Sequence, residues 1–286
     1  MDRQNIVHHT GGDELERLEI QLLLEAIYRR YGFDFREYAY SSLRRRVWKA
    51  VHSENLLSVS ALQEKVLHEP ACWRRVLPGL SVNVTSMFRD PGFYRALRRI
   101  VVPYLRECPF VRIWHVGCAT GEEVYSLAIM LEEEGVLDRC RIYATDINEI
   151  VLQKARSGIY PLRVMQAYTG NYQLADGKRS FSEYYTARYG HAMMRQSLNR
   201  NIIFSRHNLV SDGAFNEFHL ILCRNVLIYF NKALQDRVHQ MIFSGLAASC
   251  FLGLGEKETI RYTPHENDYA AVAPGERLYQ RIESQV

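Results

Sequence analysis

The residues from Gly117 to Glu123 read GCATGEE and follow an apolar run that is typical of a buried strand. A glycine turn between a strand and a helix commonly binds a phosphate, because the first N–H groups of the helix point at the anion. Here Glu122 and Glu123 stand at the start of that helix, where two carboxylates would repel a diphosphate by several kcal/mol. The turn therefore argues against a dinucleotide, and the absence of GKS or GKT from the sequence argues against a P-loop.

A second acidic residue comes at the end of the next apolar run, RIYATDI. Asp146 can accept hydrogen bonds from both hydroxyls of a ribose, as acids at this position do in dinucleotide sites. Two plainer interpretations stay open: the glycines can serve only a tight turn, and Asp146 can cap the next helix together with Asn148. An adenosine cofactor without phosphate, such as S-adenosylmethionine, fits both the turn and the acid.

Apolar strand patterns and helical patterns alternate from residue 111 onward. Such alternation predicts a parallel sheet with helices on both faces, and ligands of such sheets bind at the carboxyl ends of the strands. The last two strand patterns meet at Pro274–Gly275, which predicts an antiparallel hairpin. A parallel sheet that ends in an antiparallel pair is typical of class I methyltransferases.

The first 80 residues show helical periodicity only. The spacing predicts a helix over 14–31, and further helices over 36–51 and 60–69, the last with a capping box of Ser60 and Gln63. The buried face of the first helix is expected to carry Leu15, Leu18, Leu22 and Ile27.

Two further segments stand out between these regions. Asp90 and Pro91 favour the N-cap and first turn of a long helix. Between Tyr160 and Asn201 the alternation stops, and the segment is polar and rich in tyrosine. It is too long for a bare loop, so we expect it to be partly structured.

Composition limits the class of protein. The chain has 286 residues and a net charge of +4, which is too small to indicate nucleic acid by itself. No apolar run is long enough for a membrane span, and the first residues have no apolar signal core. The six cysteines form no CxxC pair and the ten histidines show no ligand spacing, so we expect reduced thiols, no metal and a cytoplasmic location.

Five segments together resemble the CheR family of chemotaxis-type protein-glutamate O-methyltransferases. They are SVNVTSMFRDPGFY, IWHVGCATGEEVYSLAI, IYATDINEIVLQKARSGIY, HNL and LILCRNVLIYFNKALQ, in this order along the chain. The resemblance covers roughly residues 15–283, and CRNVLIYF together with GCATGEE is far more specific than a glycine motif alone.

The resemblance implies an α/β fold of the class I S-adenosylmethionine-dependent methyltransferase type. Its sheet is Rossmann-like and seven-stranded, with a terminal antiparallel hairpin. The implied domains are a helical substrate-docking domain over 1–80, a linker helix over 81–110 and a methyltransferase domain over 111–286. A small subdomain is inserted over 160–200, and in some family members this piece binds a receptor's tail peptide.

The resemblance also implies roles for matching residues. Asn83, Thr85 and Arg89 would reach the cofactor from the linker, and Arg89 would also act in catalysis. Tyr229 would stand near the transferred methyl group as the second catalytic residue. The remaining cofactor contacts would be Gly117, Glu123, Asp146, Asn208, Leu209, Asn225 and Val226.

The implied reaction transfers a methyl group from S-adenosylmethionine to glutamate carboxylates of a chemoreceptor, leaving S-adenosylhomocysteine. A carboxylate is already ionised at neutral pH, so alignment and desolvation suffice and no general base is needed. A nucleic-acid methyltransferase is disfavoured, because CRNVLIYF stands where amino-methylating DNA enzymes have a Pro-Pro-aromatic motif. The alternative function is a catalytically weak cofactor-binding module that docks signalling partners.

The expected partner is the set of cytoplasmic methylation helices of a methyl-accepting receptor, with no nucleic acid, no membrane insertion and a monomeric chain. The sequence LRRRVWK concentrates Arg44, Arg45 and Arg46 within one turn of a predicted helix. These arginines can dock an acidic helix, or they can form an ordinary solvated face with pairs such as Arg44 or Arg45 to Glu37. Successive helical residues point about 100° apart, so not all three can face one partner.

Overall fold

The computed structural model describes residues 7–81 and 85–283. The chain folds as two compact units. The first comprises residues 1–82 together with 229–234, and the second comprises residues 83–228 together with 235–286. Most of the first unit is helical, whereas the second is built around a sheet.

The N-terminal part of the first unit contains four helices that enclose their own apolar core. These helices are α1 (Val7–Tyr31), α2 (Tyr40–Ser53), α3 (Val59–His68) and α4 (Pro70–Leu80). Gly32 ends α1 with φ of 73°, a left-handed conformation that suits glycine.

The expected buried face of α1 was wrong for Leu15, Leu18 and Leu22 and is confirmed for Ile27. Leu15, Leu18 and Leu22 are 60%, 50% and 50% exposed, and the buried residues of the helix are Ile20, Leu23, Leu24 and Ile27. At about 100° per residue, Ile27 lies on the opposite side of the helix from the three leucines. The residues that are buried also recur every three or four positions, so the periodicity of the sequence was compatible with either of two faces of α1.

The expected capping box of α3 was also wrong. Ser58 is the N-cap, and its hydroxyl accepts a hydrogen bond from the N–H of Ala61 at 3.1 Å. Ser60 lies inside the helix and its hydroxyl donates to Glu19 at 2.5 Å. The sequence LSVS offers two serines of equal propensity, and tertiary contact with α1 decides between them.

The second unit contains the remaining helices and all the strands. Its helices are α5 (Pro91–Ala96), α6 (Val102–Glu107), α7 (Glu122–Glu133), α8 (Glu149–Ser157), α9 (Met165–Leu174) and α10 (Gln196–Asn199), followed by α11 (Lys232–Gly245), whose first turn belongs to the first unit. Its strands are β1 (Val111–Val116), β2 (Cys140–Asp146), β3 (Ile159–Pro161), β4 (Tyr185–Arg188), β5 (His191–Met194), β6 (Ile202–Arg206), β7 (Phe218–Cys223), β8 (Leu246–Leu254), β9 (Tyr269–Ala273) and β10 (Leu278–Arg281).

Seven strands form one sheet in the order β6-β2-β1-β7-β8-β10-β9. The first five are parallel, and β10 pairs antiparallel with both β8 and β9. The predicted fold class and its terminal hairpin are confirmed. Because β6, β2, β1 and β7 are neighbours and parallel, their carboxyl ends meet at one edge of the sheet.

The segment after α8 forms a second, three-stranded sheet in the order β3-β5-β4, with α9 between β3 and β4. The buried carboxylate of Glu133 anchors this segment to α7, since it accepts hydrogen bonds from the hydroxyls of Tyr172 and Tyr184. The polar, tyrosine-rich segment noted in the sequence therefore folds into a three-stranded sheet with α9, as the expectation of partial structure said.

The helix predicted to begin after Asp90 is present but interrupted. Asp90 occupies the N-cap position of α5 with φ of 56°, and no side-chain cap bond forms. A π-helical turn over Leu97–Val101 then joins α5 to α6. All six cysteines are free thiols, and across residues 7–81 and 85–283 no helix is long and apolar enough to cross a membrane.

Candidate cofactor site

The turn after β1 is braced by the end of β2. Gly117 and Gly121 have φ of 64° and 89°, which an L side chain adopts only with strain, and α7 begins at Glu122. The N–H of Ala119 donates to Oδ2 of Asp146 at 2.9 Å. The glycine turn and the strand-end acid, which are far apart in the sequence, therefore form one structure.

The other oxygen of Asp146 accepts a hydrogen bond from the N–H of Asn148 at 2.9 Å. The two carboxylate oxygens together have four lone pairs, so the carboxylate keeps acceptor capacity for a ribose. Burial raises the pKa of Asp146, and the N–H donors act in the opposite direction. Asn148 caps α8, with its side chain accepting from the N–H of Ile150 at 3.0 Å. Capping is thus the task of Asn148.

The two glutamates at the start of α7 have different environments. Glu123 forms a buried ion pair with Arg224, which also binds Asp90 at 2.7 Å. This pair neutralises Glu123 inside the unit and leaves its second oxygen outside the ion pair. Glu122 accepts a hydrogen bond from the hydroxyl of Thr120 at 2.6 Å, and burial raises its pKa. Negative side chains at a helix N-terminus also interact favourably with the helix dipole.

The turn after β7 lies against the turn after β1. A Cβ atom added to Gly117 would come within 2.5 Å of Cγ2 of Val226, so only glycine permits this approach. Asn225 has φ of 59°, and its side-chain oxygen Oδ1 is buried with no hydrogen-bond partner among the described residues. A buried acceptor without a donor fits a ligand that carries an ammonium group, and S-adenosylmethionine does.

The end of β6 contributes the segment 207–209. The N–H of His207 donates to the carbonyl of Asp146 at 3.1 Å, which fixes this segment beside the acid. Oδ1 of Asn208 accepts from the N–H of Val210 at 3.0 Å, so the amide nitrogen of Asn208 remains as a donor. Leu209 is half-buried and offers an apolar surface. A donor beside an apolar side chain suits the edge and face of a purine.

The linker before α5 is fastened to the same region. The N–H of Phe88 donates to the hydroxyl of Ser126 in α7 at 2.8 Å, and the carbonyl of Met87 accepts from Asn171 at 3.0 Å. Thr85 and Arg89 lie half-buried on either side of these anchors. Asn83 lies outside the described residues.

Most of the predicted cofactor residues therefore gather at one edge of the sheet. The residues at the carboxyl ends of β1, β2, β6 and β7 are Gly117, Glu123, Asp146, Asn208, Leu209, Asn225 and Val226. Tyr229 belongs to the first unit, where its ring lies 4.9 Å from the guanidinium of Arg46. The sequence analysis did not single out two residues that contact this region: Arg224, which pairs with Glu123, and Glu258, which accepts a hydrogen bond from the N–H of Asn225. Arg224 had a signal, because it is a charged residue directly after an apolar strand.

The three arginines of α2 have three different environments. Arg46 is 6% exposed, and its guanidinium donates to the carbonyl of Leu80 at 2.6 Å. It is therefore unavailable for docking, and its assignment as a docking residue was wrong. A side chain at this position of α2 points into the core because Leu43 and Val47 flank it on the same face.

Arg44 and Arg45 do lie on the surface. Arg44 forms a two-bond ion pair with Glu16 of α1, and not with Glu37. Arg45 is exposed, and no ion pair to it occurs among the residues described. Together with Ser41, Trp48, Lys49 and His52 these two arginines line a shallow depression of about 750 Å³.

Both parts of the chain match models of known protein families. Residues 83–274 match the family model described as CheR methyltransferase, SAM binding domain, and residues 18–80 match CheR methyltransferase, all-alpha domain. A protein of Pseudomonas putida named "Putative methyltransferase Cher3" is 47% identical over 92% of this chain and 97% of its own length.

More distant relatives carry chemotaxis names. Chemotaxis protein methyltransferase 2 of Pseudomonas aeruginosa is 30% identical over 87% of this chain and 89% of its own length. The chemotaxis protein methyltransferase of Salmonella typhimurium is 32% identical over 65% of this chain and 64% of its own. Among solved structures, the N-methyltransferase NodS of Bradyrhizobium japonicum, in complex with S-adenosylhomocysteine, matches at 14% identity with a TM-score of 0.33. It covers 68% of this chain and 70% of its own, and at that score adds no argument.

The family models and the relatives agree with the sheet topology, and the candidate site at the sheet edge brings together Asp146, a glycine turn and the unpartnered amide oxygen of Asn225. The cofactor of the protein is S-adenosylmethionine. The chain belongs to the CheR methyltransferase family and is an S-adenosylmethionine-dependent methyltransferase.

Proposed function

We propose that this protein methylates glutamate carboxylates on the cytoplasmic helices of a chemoreceptor-type protein, forming glutamate methyl esters. The observation that carries the proposal is the match of both units to one family whose relatives are named chemotaxis methyltransferases. Such a reaction takes place in the cytoplasm, where the receptor presents these helices.

In the proposed site, different residues contact the ribose, the adenine and the methionine end of the cofactor. Asp146 holds the ribose hydroxyls, while Asn208 and Leu209 contact the adenine. Asn225 and Val226 hold the methionine end, where Oδ1 of Asn225 accepts from the ammonium. Glu123, through its second carboxylate oxygen, supports the same end. Gly117 lets the turn after β1 lie directly against Val226 and so stands beside this end of the ligand.

The linker closes the proposed site from its other side. Its candidate contacts, from the family resemblance, are Asn83, Thr85 and Arg89. The hydrogen bond between Phe88 and Ser126 supports this arrangement, because it holds the linker against the first turns of α7.

Bound S-adenosylmethionine would supply the methyl group of its sulfonium: the glutamate carboxylate attacks the methyl carbon, an O–CH₃ bond forms as the S–CH₃ bond breaks, and S-adenosylhomocysteine leaves. The nucleophile enters already ionised, so no residue of the chain has to remove a proton. The protein's task is to align the carboxylate with the methyl group and to exclude water. Tyr229 and Arg89 are our candidates for this alignment, and an aromatic face near the sulfonium would stabilise its charge.

The test is a methyl-transfer assay with radiolabelled S-adenosylmethionine and the cytoplasmic domain of a candidate receptor. We expect label on the receptor that is released as methanol in alkali, and slower labelling by the Asp146→Ala enzyme when the cofactor is below saturation. Label that survives alkali would contradict a methyl ester. Binding of S-adenosylhomocysteine without any transfer would favour a cofactor-binding module over an enzyme.

A further inference from the structure

Glu258 lies in the loop after β8 and is 4% exposed. Its carboxylate accepts four backbone hydrogen bonds at 2.7–2.8 Å. Oε2 accepts from Asn225 and Gly255, while Oε1 accepts from Val226 and Leu227. A fifth N–H, that of Ile228, lies 3.4 Å from Oε1. One side chain thus binds the whole turn that follows β7.

The charge of Glu258 is balanced by these N–H groups and not by a cation. In the described part of the chain no Lys, Arg or His forms an ion pair with this carboxylate. Burial raises the pKa of Glu258, and the backbone donors act against that effect. Each oxygen receives at least two donors, so neither can itself donate without displacing one. The turn therefore requires the ionised carboxylate.

Gly255 packs closely against both Glu258 and Asn225. A Cβ atom on Gly255 would lie 2.7 Å from Oε2 of Glu258 and 2.8 Å from both the backbone and side-chain nitrogens of Asn225. Asn225 has a positive φ of 59°, which costs about 1 kcal/mol for a residue other than glycine. The bond from its N–H to Glu258 helps to hold it in that conformation.

We propose that Glu258 is a positioning residue for the cofactor site. It fixes the backbone of Asn225, Val226 and Leu227, so that the amide of Asn225 and the side chain of Val226 are placed before the ligand arrives. Preorganisation of this kind improves affinity by removing the ordering that binding would otherwise require. The inference rests on the proposed assignment of Asn225 and Val226 to the methionine end.

The main test replaces Glu258 by Gln, which keeps the shape but turns one oxygen into an NH₂ group that faces two N–H donors. We expect the Kd of S-adenosylhomocysteine to rise by about tenfold to a hundredfold, the scale of hydrogen bonds to a charged group. The matched control is Glu256→Gln, two residues away and exposed, which should leave the Kd unchanged.

A second readout needs no ligand. Hydrogen exchange on the wild-type chain should show protected amides at Asn225, Val226 and Leu227. Glu258→Gln should speed exchange at these three amides and leave those of β2 unchanged, whereas a general loss of stability would affect both. Glu258→Asp, which keeps the charge but shortens the reach, should give an intermediate change if the Gln variant does not fold. Unprotected amides at 225–227 in the wild type would overturn the proposal.

A double substitution separates this inference from the site assignment. If Asn225→Ala alone leaves the Kd unchanged, the assignment of Asn225 fails, and with it the inference. If Asn225→Ala weakens binding but Glu258→Gln does not, only the role of Glu258 is refuted. We expect both to weaken binding, with a smaller effect of Glu258→Gln in the Asn225→Ala background, because one residue acts through the other.

Discussion

At the scale of single residues, the site depends on carboxylates that are used in different ways. Asp146 keeps acceptor capacity for a ligand, one oxygen of Glu123 pairs with Arg224, and both oxygens of Glu258 accept from backbone N–H groups. The sequence shows all three as acids near strand ends. What distinguishes them is which donor reaches each carboxylate, and that is a property of the folded chain.

Substitution of Asp146 tests the ribose contact. Asp146→Ala should weaken S-adenosylmethionine and S-adenosylhomocysteine by about 1–3 kcal/mol, because two ligand hydroxyls lose their acceptor. Calorimetric titration measures the change, with the exposed Asp138→Ala as control. Equal affinity in the wild type and Asp146→Ala would remove Asp146 from the site.

The pH dependence of binding follows from the same residue. Because burial raises the pKa of Asp146, its protonation on acidification begins at a higher pH than for an ordinary aspartate. Affinity for S-adenosylhomocysteine should therefore fall as the pH decreases through that raised pKa. The contribution of Asp146 to the stability of the free protein has the opposite sign, since a raised pKa favours the protonated folded form. Titrations of Asp146→Asn should lack this part of the pH profile.

Tyr229 provides a test of the catalytic assignment. Tyr229→Phe retains the ring that lies over Arg46, so folding and the Kd of S-adenosylhomocysteine should not change. If the phenol hydroxyl contacts the reacting groups, kcat should fall by about two- to tenfold, the value of one ordinary hydrogen bond. Steady-state assays at saturating cofactor measure it, and an unaltered kcat would leave Tyr229 with a packing role only.

At the scale of elements, the sheet and its hairpin could be predicted, while several details of the helices could not. Continuous apolar strands admit one arrangement, a sheet covered on both faces. The helices offered competing choices, Ser58 or Ser60 as a cap and two possible faces of α1. Glu258 gave no usable signal, because its five N–H neighbours are mostly some thirty residues away in the chain.

Helices α2, α3 and α4 are joined by one acidic residue. Glu54 follows α2 and binds Lys65 of α3 at 2.9 Å and Arg75 of α4 at 2.6 Å, which lowers the pKa of Glu54 to about 2. Glu54→Gln should reduce the free energy of unfolding at neutral pH by about 0.2–1 kcal/mol per lost pair.

The sign of its pH dependence is fixed by the lowered pKa. The contribution of Glu54 is complete above its ordinary pKa of 4.5 and is lost as the pH falls towards about 2. Thermal unfolding between pH 7 and 3 should show the wild type and Glu54→Gln converging in acid. The exposed Glu64→Gln of α3 is the control, and a constant gap at all pH values would contradict the ion-pair explanation.

At the scale of the whole molecule, a net charge of +4 is too small to attract an acidic partner from any direction. Docking should therefore depend on local charge, and the face of α2 that carries Arg45 and Lys49 offers it. Arg45→Glu should raise the receptor KM by about fivefold, leave the Kd of the cofactor unchanged and reduce the salt dependence of the reaction.

The control for Arg45→Glu is Arg261→Glu, the same charge change at an exposed position of the second unit. Arg44→Glu should have a mixed effect, because it also breaks the pair with Glu16. If Arg45→Glu and Arg261→Glu leave the receptor KM equal to that of the wild type, docking lies elsewhere. The three-stranded sheet of β3, β4 and β5 is then the next surface to test.

The close contact between Gly117 and Val226 has a consequence for chemical biology. The methyl groups of Val226 fill the space that a side chain at Gly117 would occupy, beside the proposed methionine end of the cofactor. Val226→Ala should open a small hole there without straining the glycine turn. We expect this variant to accept synthetic cofactors with a bulkier group at that end better than the wild type does. Substitution of this one valine would then allow the substrates of this methyltransferase to be labelled selectively in a mixture that contains its relatives.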